Sequence, residues 1–414
     1  PGQDAPASTR PAVWARGGGA DLSVGGGGIF AKAGVPKIKN RLYLNDGKGD
    51  FSLDAAALPP NAGNTSTIAV HDFDADGWPD LFIGSKCLPQ QYGTYPPHYL
   101  LRNKGNGQYE DVTAQRMPDA GGLGMVTAAA WADMDGDRQP ELVVVGEWMA
   151  PAFFKVQKGR LLRLNPRMPA MQGMWQAMAI ADVNADGHLD LVLGNLGLNG
   201  YLRPDSTNPV KLWFADFDNN RLFDKVMTRT INGRDMPVFL KRDLTDQIPG
   251  LKKQNLQFEA YATKSIQDLF GAESLQQALV HTCNQSASGI LYNLGNGSFS
   301  FSPFAPPLQW SSINALCTTD LNGDGLPDLL MGGNQYAMMP QFGRLDASFG
   351  HVLLNGGRGQ WQYLPTVESG INIRGAIKDI KAIKGKAGGY LWLRNNQTPV
   401  LVRVGKLPAL NKTM

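Results

Sequence analysis

The stretch AVHDFDADGWPDLFIGS, residues 69–85, decides the fold of this 414-residue chain because its pattern recurs along the sequence. It holds an apolar strand, a nine-residue acidic loop and a second apolar strand. Four further copies are AAWADMDGDRQPELVVVGE at 129–147, AIADVNADGHLDLVLGN at 179–195, LWFADFDNNRLFDKVM at 212–227 and LCTTDLNGDGLPDLLMGGN at 316–334. Recurrence of one supersecondary unit indicates a repeat architecture.

A second element falls between these loops, a hairpin with Asn and Gly at its turn. Its copies are RLYLNDGKGDF at 41–51, YLLRNKGNGQYEDV at 99–112, ILYNLGNGSFSF at 290–301 and HVLLNGGRGQWQYL at 351–364. Asn-Gly turns favour the positive φ of tight hairpins. One repeat therefore predicts four antiparallel strands, which is a blade of an all-β propeller. With degenerate strands at 21–28 and 390–396, the spacing predicts about seven blades over residues 21–414, with six or eight possible.

Two stretches depart from the repeat. Residues 251–282 contain helix formers and apolar residues at helical spacing, so we expect a helical insertion within a blade. Residues 1–20 are typical of a linker or a truncated N-terminal segment.

The composition narrows the range of expected binding partners. The net charge is +3 with dispersed Lys and Arg, so the concentrated basic face that nucleic acid requires is not expected. Cys87, Cys283 and Cys317 are widely spaced, which indicates neither a disulfide framework nor a zinc site. We expect them to be mostly buried thiols.

The acidic loops carry oxygen ligands at loop positions one, three, five and nine, a density that suits Ca²⁺. The carbonyl of position seven is expected to complete the sphere. The predicted ligands are Asp72, Asp74, Asp76, Trp78 and Asp80 in the first loop; Asp133, Asp135, Asp137 and Glu141 in the second; Asp182, Asn184, Asp186, His188 and Asp190 in the third; Asp216, Asp218, Asn220 and Asp224 in the fourth; and Asp320, Asn322, Asp324, Leu326 and Asp328 in the fifth.

An EF-hand is excluded because position twelve is apolar in every copy, from Ile83 to Met331, where a bidentate Glu is needed. Metal-free Asp-Gly turns are the simpler alternative, but several uncompensated acids within nine residues repel one another without a cation. Arg138 and Arg221 stand at position six, where Gly is expected, and Asn220 replaces an acid at position five. The second and fourth loops are therefore the weaker candidates.

With these loops, the chain resembles the FG-GAP or VCBS repeat proteins, whose repeats also form the propeller of integrin α-subunits. Stretches such as NRLYLNDGKGDF and LTDQIPGLKKQ further resemble exported Bacteroidetes proteins related to cartilage acidic protein. The resemblance implies a calcium-stabilised propeller that is secreted or displayed on the outer membrane of a Gram-negative bacterium, sometimes beside glycan-uptake transporters. It implies no reaction.

Because antiparallel strands alternate in direction, the loops after each second strand emerge opposite the acidic loops. These loops are rich in Gly, Asn, aromatic and charged residues, and loops on a rigid scaffold commonly carry function. Turn formation and packing between blades are the alternative roles of the individual residues. The candidate ligand-binding residues are Lys86, Tyr92, Glu147, Trp148, Asn195, Asn199, Arg203, Asn334, Tyr336, Arg344 and Asp346.

Three functions fit this arrangement. The first is an extracellular binding module for a glycan or a protein partner. Such a module could serve as an accessory of an outer-membrane nutrient-uptake system. The second is a lyase-like carbohydrate-active enzyme, in which Glu147 and Asp346 act as an acid and base pair. The third is a structural subunit docked to a membrane transporter. No HExxH, GxSxG or triad-like pattern is present, so no catalytic residue is assigned.

Overall fold

The computed structural model describes residues 12–16, 19–26, 39–254, 257–384 and 388–405. These residues form seven antiparallel sheets, most of them four-stranded, which confirms the all-β prediction. Six of the sheets follow one another along the chain and are numbered first to sixth here. The seventh, the inserted sheet, interrupts the fourth.

The first three sheets use the N-terminal strands in chain order. The first holds β1 (Ala12–Arg16), β2 (Gly19–Val24), β3 (Arg41–Asn45) and β4 (Phe51–Asp54). The second holds β5 (Asn64–His71), β6 (Asp80–Cys87), β7 (Tyr99–Asn103) and β8 (Tyr109–Asp111). The third holds β9 (Met125–Ala132), β10 (Glu141–Met149), β11 (Ala152–Gln157), β12 (Arg160–Leu164) and the short β13 (Gly173–Met174).

The remaining sheets include the interruption. The fourth sheet holds β14 (Ala177–Ala181), β15 (Asp190–Gly194), β20 (Gly289–Asn293) and β21 (Phe299–Pro303). The inserted sheet holds β16 (Val210–Ala215), β17 (Asp224–Ile231), β18 (Arg234–Pro237) and β19 (Leu279–Cys283). The fifth holds β22 (Ile313–Thr319), β23 (Asp328–Gly333), β24 (His351–Asn355) and β25 (Trp361–Leu364), and the sixth β26 (Ile377–Ile383), β27 (Gly389–Arg394) and β28 (Gln397–Val402).

The predicted repeat unit is present in these sheets. In the second and fifth sheets an acidic loop joins the first two strands, and an Asn-Gly turn joins the last two. The acidic loops that begin at Asp182 and Asp216 do not belong to consecutive sheets, because the inserted sheet leaves the fourth sheet after β15 and returns before β20. The acidic loop that begins at Asp216 belongs to the inserted sheet.

Seven short α-helices accompany the strands in the described part of the chain. They are α1 (Thr113–Arg116), α2 (Lys241–Gln247), α3 (Gly250–Gln254), α4 (Phe258–Ala262), α5 (Ile266–Leu269), α6 (Ala272–Gln277) and α7 (Thr366–Ser369). Helices α2 to α6 form the helical insertion, but the predicted bounds of 251–282 are wrong at both ends. The helices begin at Lys241, and β19 starts at Leu279 because its residues pair with β16; tertiary pairing overrides the local helical pattern there.

The predicted linker at 1–20 is described only in part. Ala12–Arg16 pairs with β2 as strand β1, whereas residues 1–11 and 17–18 lie outside the described residues. Cys87 and Cys283 are buried and Cys317 is half-buried, and all three are free thiols. Of the helices in the described ranges, none has the length and apolar character to cross a membrane.

The core consists of apolar layers between consecutive sheets. Phe82 and Leu100 of the second sheet pack with Val126 and Phe154 of the third, and similar layers lie between each later pair of sheets. The first strands are in contact in sequence, from β1 with β5 to β22 with β26. A separate cluster fills the inserted sheet and its helices. Since each acidic loop joins the first two strands of its sheet, the acidic loops of the second to fifth sheets lie at one end of these sheets, and the loops after their second strands lie at the other.

Candidate metal loops and ligand face

All five acidic loops share one backbone conformation. In each, the residues at positions four and six have positive φ, a region that favours Gly. The two departures from Gly at position six keep this conformation, with φ of 70° at Arg138 and 68° at Arg221. The second and fourth loops are thus built like the others despite their sequences.

The hydrogen bonds of the loops are equally regular. The carboxylate at position one accepts the backbone N–H of position six at 2.7–2.9 Å in every copy. The carboxylate at position nine accepts the N–H of position two at 2.8–3.2 Å. The N–H of position seven donates to the side chain of position five, as in Trp78, His188 and Leu326. Each loop is therefore closed by its own acids.

The acid at position nine is buried in all five loops, with exposed fractions of 0–3% for Asp80, Glu141, Asp190, Asp224 and Asp328. Burial raises the pKa of Asp80 to about 7 and the pKa of Asp190 and Asp224 to about 6. Burial also raises the pKa of Glu141 and Asp328. Buried acids of this kind favour a cation that would stabilise their ionised form.

The sequence prediction missed the partner of the ninth acid. Asn103, Asn293 and Asn355, each at the start of an Asn-Gly turn, donate their backbone N–H to Asp80, Asp190 and Asp328 at 2.7–2.8 Å. The side chain of Asn293 also donates to the carbonyl of Met134, and that of Asn355 to the carbonyl of Val183, both in the acidic loop of the preceding sheet. The recurrence of Asn at the start of each hairpin turn was the signal in the sequence from which this role could have been predicted.

Three loops gather carboxylates closely enough to hold one ion. Ligand atoms of Asp72, Asp74 and Asp80 lie within 4.8 Å of one another, and the same holds for Asp133, Asp135 and Glu141 and for Asp216, Asp218 and Asp224. Among the described residues, one buried oxygen each of Asp74, Glu141 and Asp218 has no hydrogen-bond partner, although that of Glu141 lies 3.3 Å from the Lys155 ammonium group. In the third and fifth loops, Asn184 and Asn322 at position three donate to the acid at position five at 2.9 Å. These oxygen-rich donor sets fit Ca²⁺.

The first two loops also contain a basic side chain from the third strand. Arg102 of β7 contacts Asp74 and Asp76 at 2.7 and 2.6 Å. Lys155 of β11 contacts Asp137 at 2.8 Å and Glu141 at 3.3 Å, and it also contacts Asp135. Sequence spacing gives no sign of either contact, because the cation comes from a different strand of the sheet.

Four of the candidate ligand residues form one hydrogen-bonded network. Glu147 accepts hydrogen bonds from Lys86 at 2.7 Å, from Tyr92 at 2.7 Å and from Gln176 at 2.8 Å, and Trp148 donates to the Tyr92 hydroxyl at 2.8 Å. Burial alone would raise the pKa of Glu147, but Lys86 and these hydrogen bonds hold it below its usual value. The network links the second, third and fourth sheets.

This network lies beneath the inserted sheet. Glu147 and Trp148 are 6% and 5% exposed. Trp148 packs with Val210, Leu212 and Cys283 of the inserted sheet. His281 of β19 lies 2.8 Å from the carbonyl of Gly93, close to Tyr92 in the chain. The inserted sheet therefore covers part of the face opposite the acidic loops.

The asparagines of the candidate set divide into buried and exposed. Asn195 is fully buried and bonds to Gln285 and Leu196. Asn334 is 1% exposed and its side chain amide donates to the carbonyls of Ser348 and Gly375. Asn199 is exposed and donates to the carbonyl of Trp310 at 3.3 Å. The buried pair stabilises loops, whereas Asn199 is accessible.

Three exposed aromatic rings and one half-buried ring, that of Phe342, lie in or beside the loops that carry the remaining candidates, and the sequence prediction missed three of these four rings. We call Tyr201, Trp310, Tyr336 and Phe342 the aromatic patch. Tyr201 and Phe342 stack with ring centroids 5.6 Å apart. Arginines cover two of the rings: Arg229 lies 4.7 Å from the Tyr201 centroid, and Arg344 lies 4.4 Å from that of Tyr336.

The charged candidates nearby are also exposed. Arg344 pairs with Asp346 at 3.8 Å, with both side chains more than half exposed. Arg203 is exposed and donates to the carbonyl of Gly200 at 3.3 Å. Glu147 and Asp346 thus have different partners, one in the buried network and one at the surface.

Comparison with known proteins identifies the repeat. The model of the FG-GAP-like repeat matches residues 21–83 and 133–193, so the chain contains FG-GAP-like repeats. The first stretch includes the acidic loop at 72–80, and the second includes the acidic loops at 133–141 and 182–190. No curated protein matches the chain.

Two solved structures show distant likeness. One is a lectin of Agrocybe aegerita described as recognising non-reducing terminal N-acetylglucosamine; it is 15% identical, with a TM-score of 0.33, and the match covers 86% of this chain and 79% of the lectin. The other is the V. cholerae biofilm matrix protein Bap1, 12% identical with a TM-score of 0.29, with 91% of this chain and 81% of that chain covered. At these TM-scores, neither likeness assigns a ligand to this chain.

Proposed function

We propose that the protein is a calcium-stabilised β-propeller that binds a glycan through the aromatic patch. The acidic loops stabilise one face, and the opposite face carries the ligand site. Millimolar calcium is an extracellular condition, so we place the protein outside the cell or on the outer-membrane surface, where a glycan-binding accessory of nutrient uptake would act.

Two observations support the propeller. The first strands of the six sheets contact one another in chain order, as blades around an axis do. Burial lowers the pKa of Lys378 in β26, and the charges of Lys86 and Glu147 act on it as well. Charges of the sixth sheet are therefore near those of the second and third sheets, which favours a closed ring over an open row.

Calcium binding is supported by the shared geometry of the acidic loops and by the buried oxygens of Asp74 and Asp218. Calcium supplies charge neutralisation for the buried acids. Thermal unfolding in millimolar CaCl₂ and in excess chelator tests calcium binding by these loops, with magnesium as the control ion. Each site filled at about 100 times its Kd contributes about 2.7 kcal/mol, so a clear rise in Tm is expected with calcium. An unchanged Tm contradicts calcium binding.

The glycan site rests on the exposure of the aromatic patch. Tyr201, Trp310 and Tyr336 are 46%, 52% and 37% exposed, although rings of this size are usually better buried. The exposed ring of Trp310 and the exposed edges of Tyr201 and Tyr336 pack against the C–H groups of a sugar. Arg229 and Arg344, which lie over the two tyrosine rings, donate hydrogen bonds to its hydroxyl or carboxylate oxygens.

The patch is continuous because its loops touch. Asn199, two residues before Tyr201, bonds to Trp310, and Gln335, beside Tyr336, pairs with Leu345 near Gly200. Loops of the fourth and fifth sheets therefore present one surface, and such convergence of rings with a few polar groups is typical of ligand sites.

Titration calorimetry with a panel of neutral and uronate-containing oligosaccharides tests the glycan site. We expect Tyr201→Ala and Trp310→Ala to weaken binding at least tenfold at unchanged Tm. Phe51→Ala is the matched control, because Phe51 is 48% exposed on β4, in the first sheet. Equal loss in the control, or no binding by any oligosaccharide, overturns the glycan site and leaves the calcium experiment unaffected.

A further inference from the structure

The acidic loops differ in the residue that faces their ninth position across the sheet. The strand pairs end at Leu81–Leu101, Leu142–Phe154, Leu191–Leu291 and Leu329–Leu353. Extending each register by one residue sets Arg102 against Asp80, Lys155 against Glu141, Tyr292 against Asp190 and Leu354 against Asp328. Two loops therefore have a basic residue at this place, and two have an uncharged one. The loops otherwise share their backbone conformation and hydrogen bonds. The residue that faces position nine therefore gives the loops different local charges.

Lys155 reaches further into its loop than Arg102 does. Its ammonium group contacts Asp135, Asp137 and Glu141, which are the acids at positions three, five and nine. Arg102 contacts positions three and five, while Asp80 at position nine is bonded to backbone N–H groups. In the second loop one cation thus contacts three of the four predicted side-chain ligands.

The fourth predicted ligand of that loop is also engaged. Asp133 accepts the N–H groups of Gly136 and Arg138, each at 2.7 Å. Glu141 is fully buried and the Lys155 side chain is 18% exposed. A buried carboxylate needs a cation close by, and a tethered ammonium supplies one without the entropy cost of capturing an ion from solution.

We infer that Lys155 is the permanent cation of the second acidic loop and takes the place that calcium has in the other loops. Ammonium and calcium cannot occupy the same ring of oxygens at once. The second loop is therefore stable without metal and binds no calcium in the natural chain. The inference depends on the proposed calcium binding only for the contrast between the second loop and the other loops. The contacts of Lys155 with the acids do not depend on calcium.

Removing the ammonium group tests the inference. In excess chelator, Lys155→Met is expected to lower Tm by several degrees, since three acids lose their cation. Lys158→Met is the matched control, because Lys158 is exposed at the turn of the same hairpin. Equilibrium dialysis with CaCl₂ is expected to show one more calcium ion bound by K155M than by the natural chain.

Glu141→Gln in the natural background gives the second readout, because it removes a ligand from the second loop alone. We expect the number of bound calcium ions to stay the same. Loss of one ion in E141Q, or a Tm of K155M equal to that of K158M in chelator, overturns the inference. A K155M chain that is destabilised but gains no ion still supports Lys155 as the cation of this loop. If no variant binds calcium, the calcium proposal fails, and the chelator comparison still decides the role of Lys155.

Discussion

The two ends of the sheets follow different rules. At one end, the acidic loops of the second to fifth sheets repeat the same positive-φ residues and the same hydrogen bonds, and the inserted sheet carries a further copy of this loop. At the other end, the loops after the second strands differ in length and content, and one of them leads into a whole sheet with five helices. The repeated end thus maintains the scaffold, and the variable end is where a binding function can be added.

The largest expected effect is that of calcium and pH on stability, and it concerns the end of the sheets that carries the acidic loops. Burial raises the pKa of Asp80 to about 7 and of Asp190 and Asp224 to about 6, above the value of about 4 in an unfolded chain. Without metal, the stability that these protonated acids contribute is present below about pH 4 and is lost as pH rises to about 7. Calcium binds their ionised form, so its effect runs in the opposite direction.

The measurement is Tm against pH at constant ionic strength, in calcium and in chelator. We expect the difference between the two curves to widen from pH 5 to pH 7.5. A difference that is constant over this range contradicts the assignment of the buried acids to the metal sites.

The buried network at the other end gives the next largest effect. Glu147→Gln removes the charge that faces Lys86 and costs about 2–3 kcal/mol, because the hydrogen bonds that Lys86 and Tyr92 donate to a buried carboxylate lose their charge-assisted strength. Glu110→Gln is the control, since the Lys104–Glu110 pair is exposed and contributes less than about 1 kcal/mol. Denaturant unfolding checks both values. Equal losses in the two variants would show that the network does not link the sheets.

A smaller effect is expected for the asparagine that joins neighbouring acidic loops. The Asn355 side chain donates to the carbonyls of Val183 at 2.8 Å and Pro327 at 3.1 Å. Asn355→Ala leaves these carbonyls without that donor and costs about 1–3 kcal/mol by denaturant unfolding. Asn296→Ala, at an exposed turn, is the control and should change little. If Asn296→Ala lowered the free energy of unfolding and Asn355→Ala did not, the link between the loops would be excluded.

The smallest effect concerns position six of the loops. Arg221→Gly is expected to stabilise the chain by up to about 1 kcal/mol, because Gly adopts a φ of 68° without strain. Gly187→Ala is the reciprocal change at the same position, where an added Cβ meets nothing within 4 Å, so backbone strain alone should destabilise it by about 1 kcal/mol. Thermal unfolding in calcium measures both. A destabilising effect of Arg221→Gly together with a stabilising effect of Gly187→Ala would mean that the positive φ is not required.

Much of the architecture was predictable because it depends on local pattern. The acidic loops and the Asn-Gly hairpins repeat within short windows, so strands, turns and the all-β class follow from residues such as Asp72 and Gly77. The helical insertion was located but its bounds were not, because Leu279 and its neighbours pair with β16 from far along the chain. Long-range pairing is invisible to local periodicity.

The candidate site was predictable in unequal parts. Tyr336, Arg344 and Asp346 are exposed, whereas Glu147 and Trp148 are buried by a sheet whose position no local sequence motif indicates. Tyr201 and Phe342 come from different loops and meet only in the fold.

The amino-acid sequence by itself determined the repeat, the strand-forming class and the placement of acids within each loop, since these depend on neighbours within about nine residues. The tertiary structure alone decided that the Asp216 loop lies in an inserted sheet, and that Glu147 joins Lys86 and Tyr92. It also decided which loop receives Lys155. The physical reason is that charge and burial act through space, so groups distant in the chain set the chemistry of each loop.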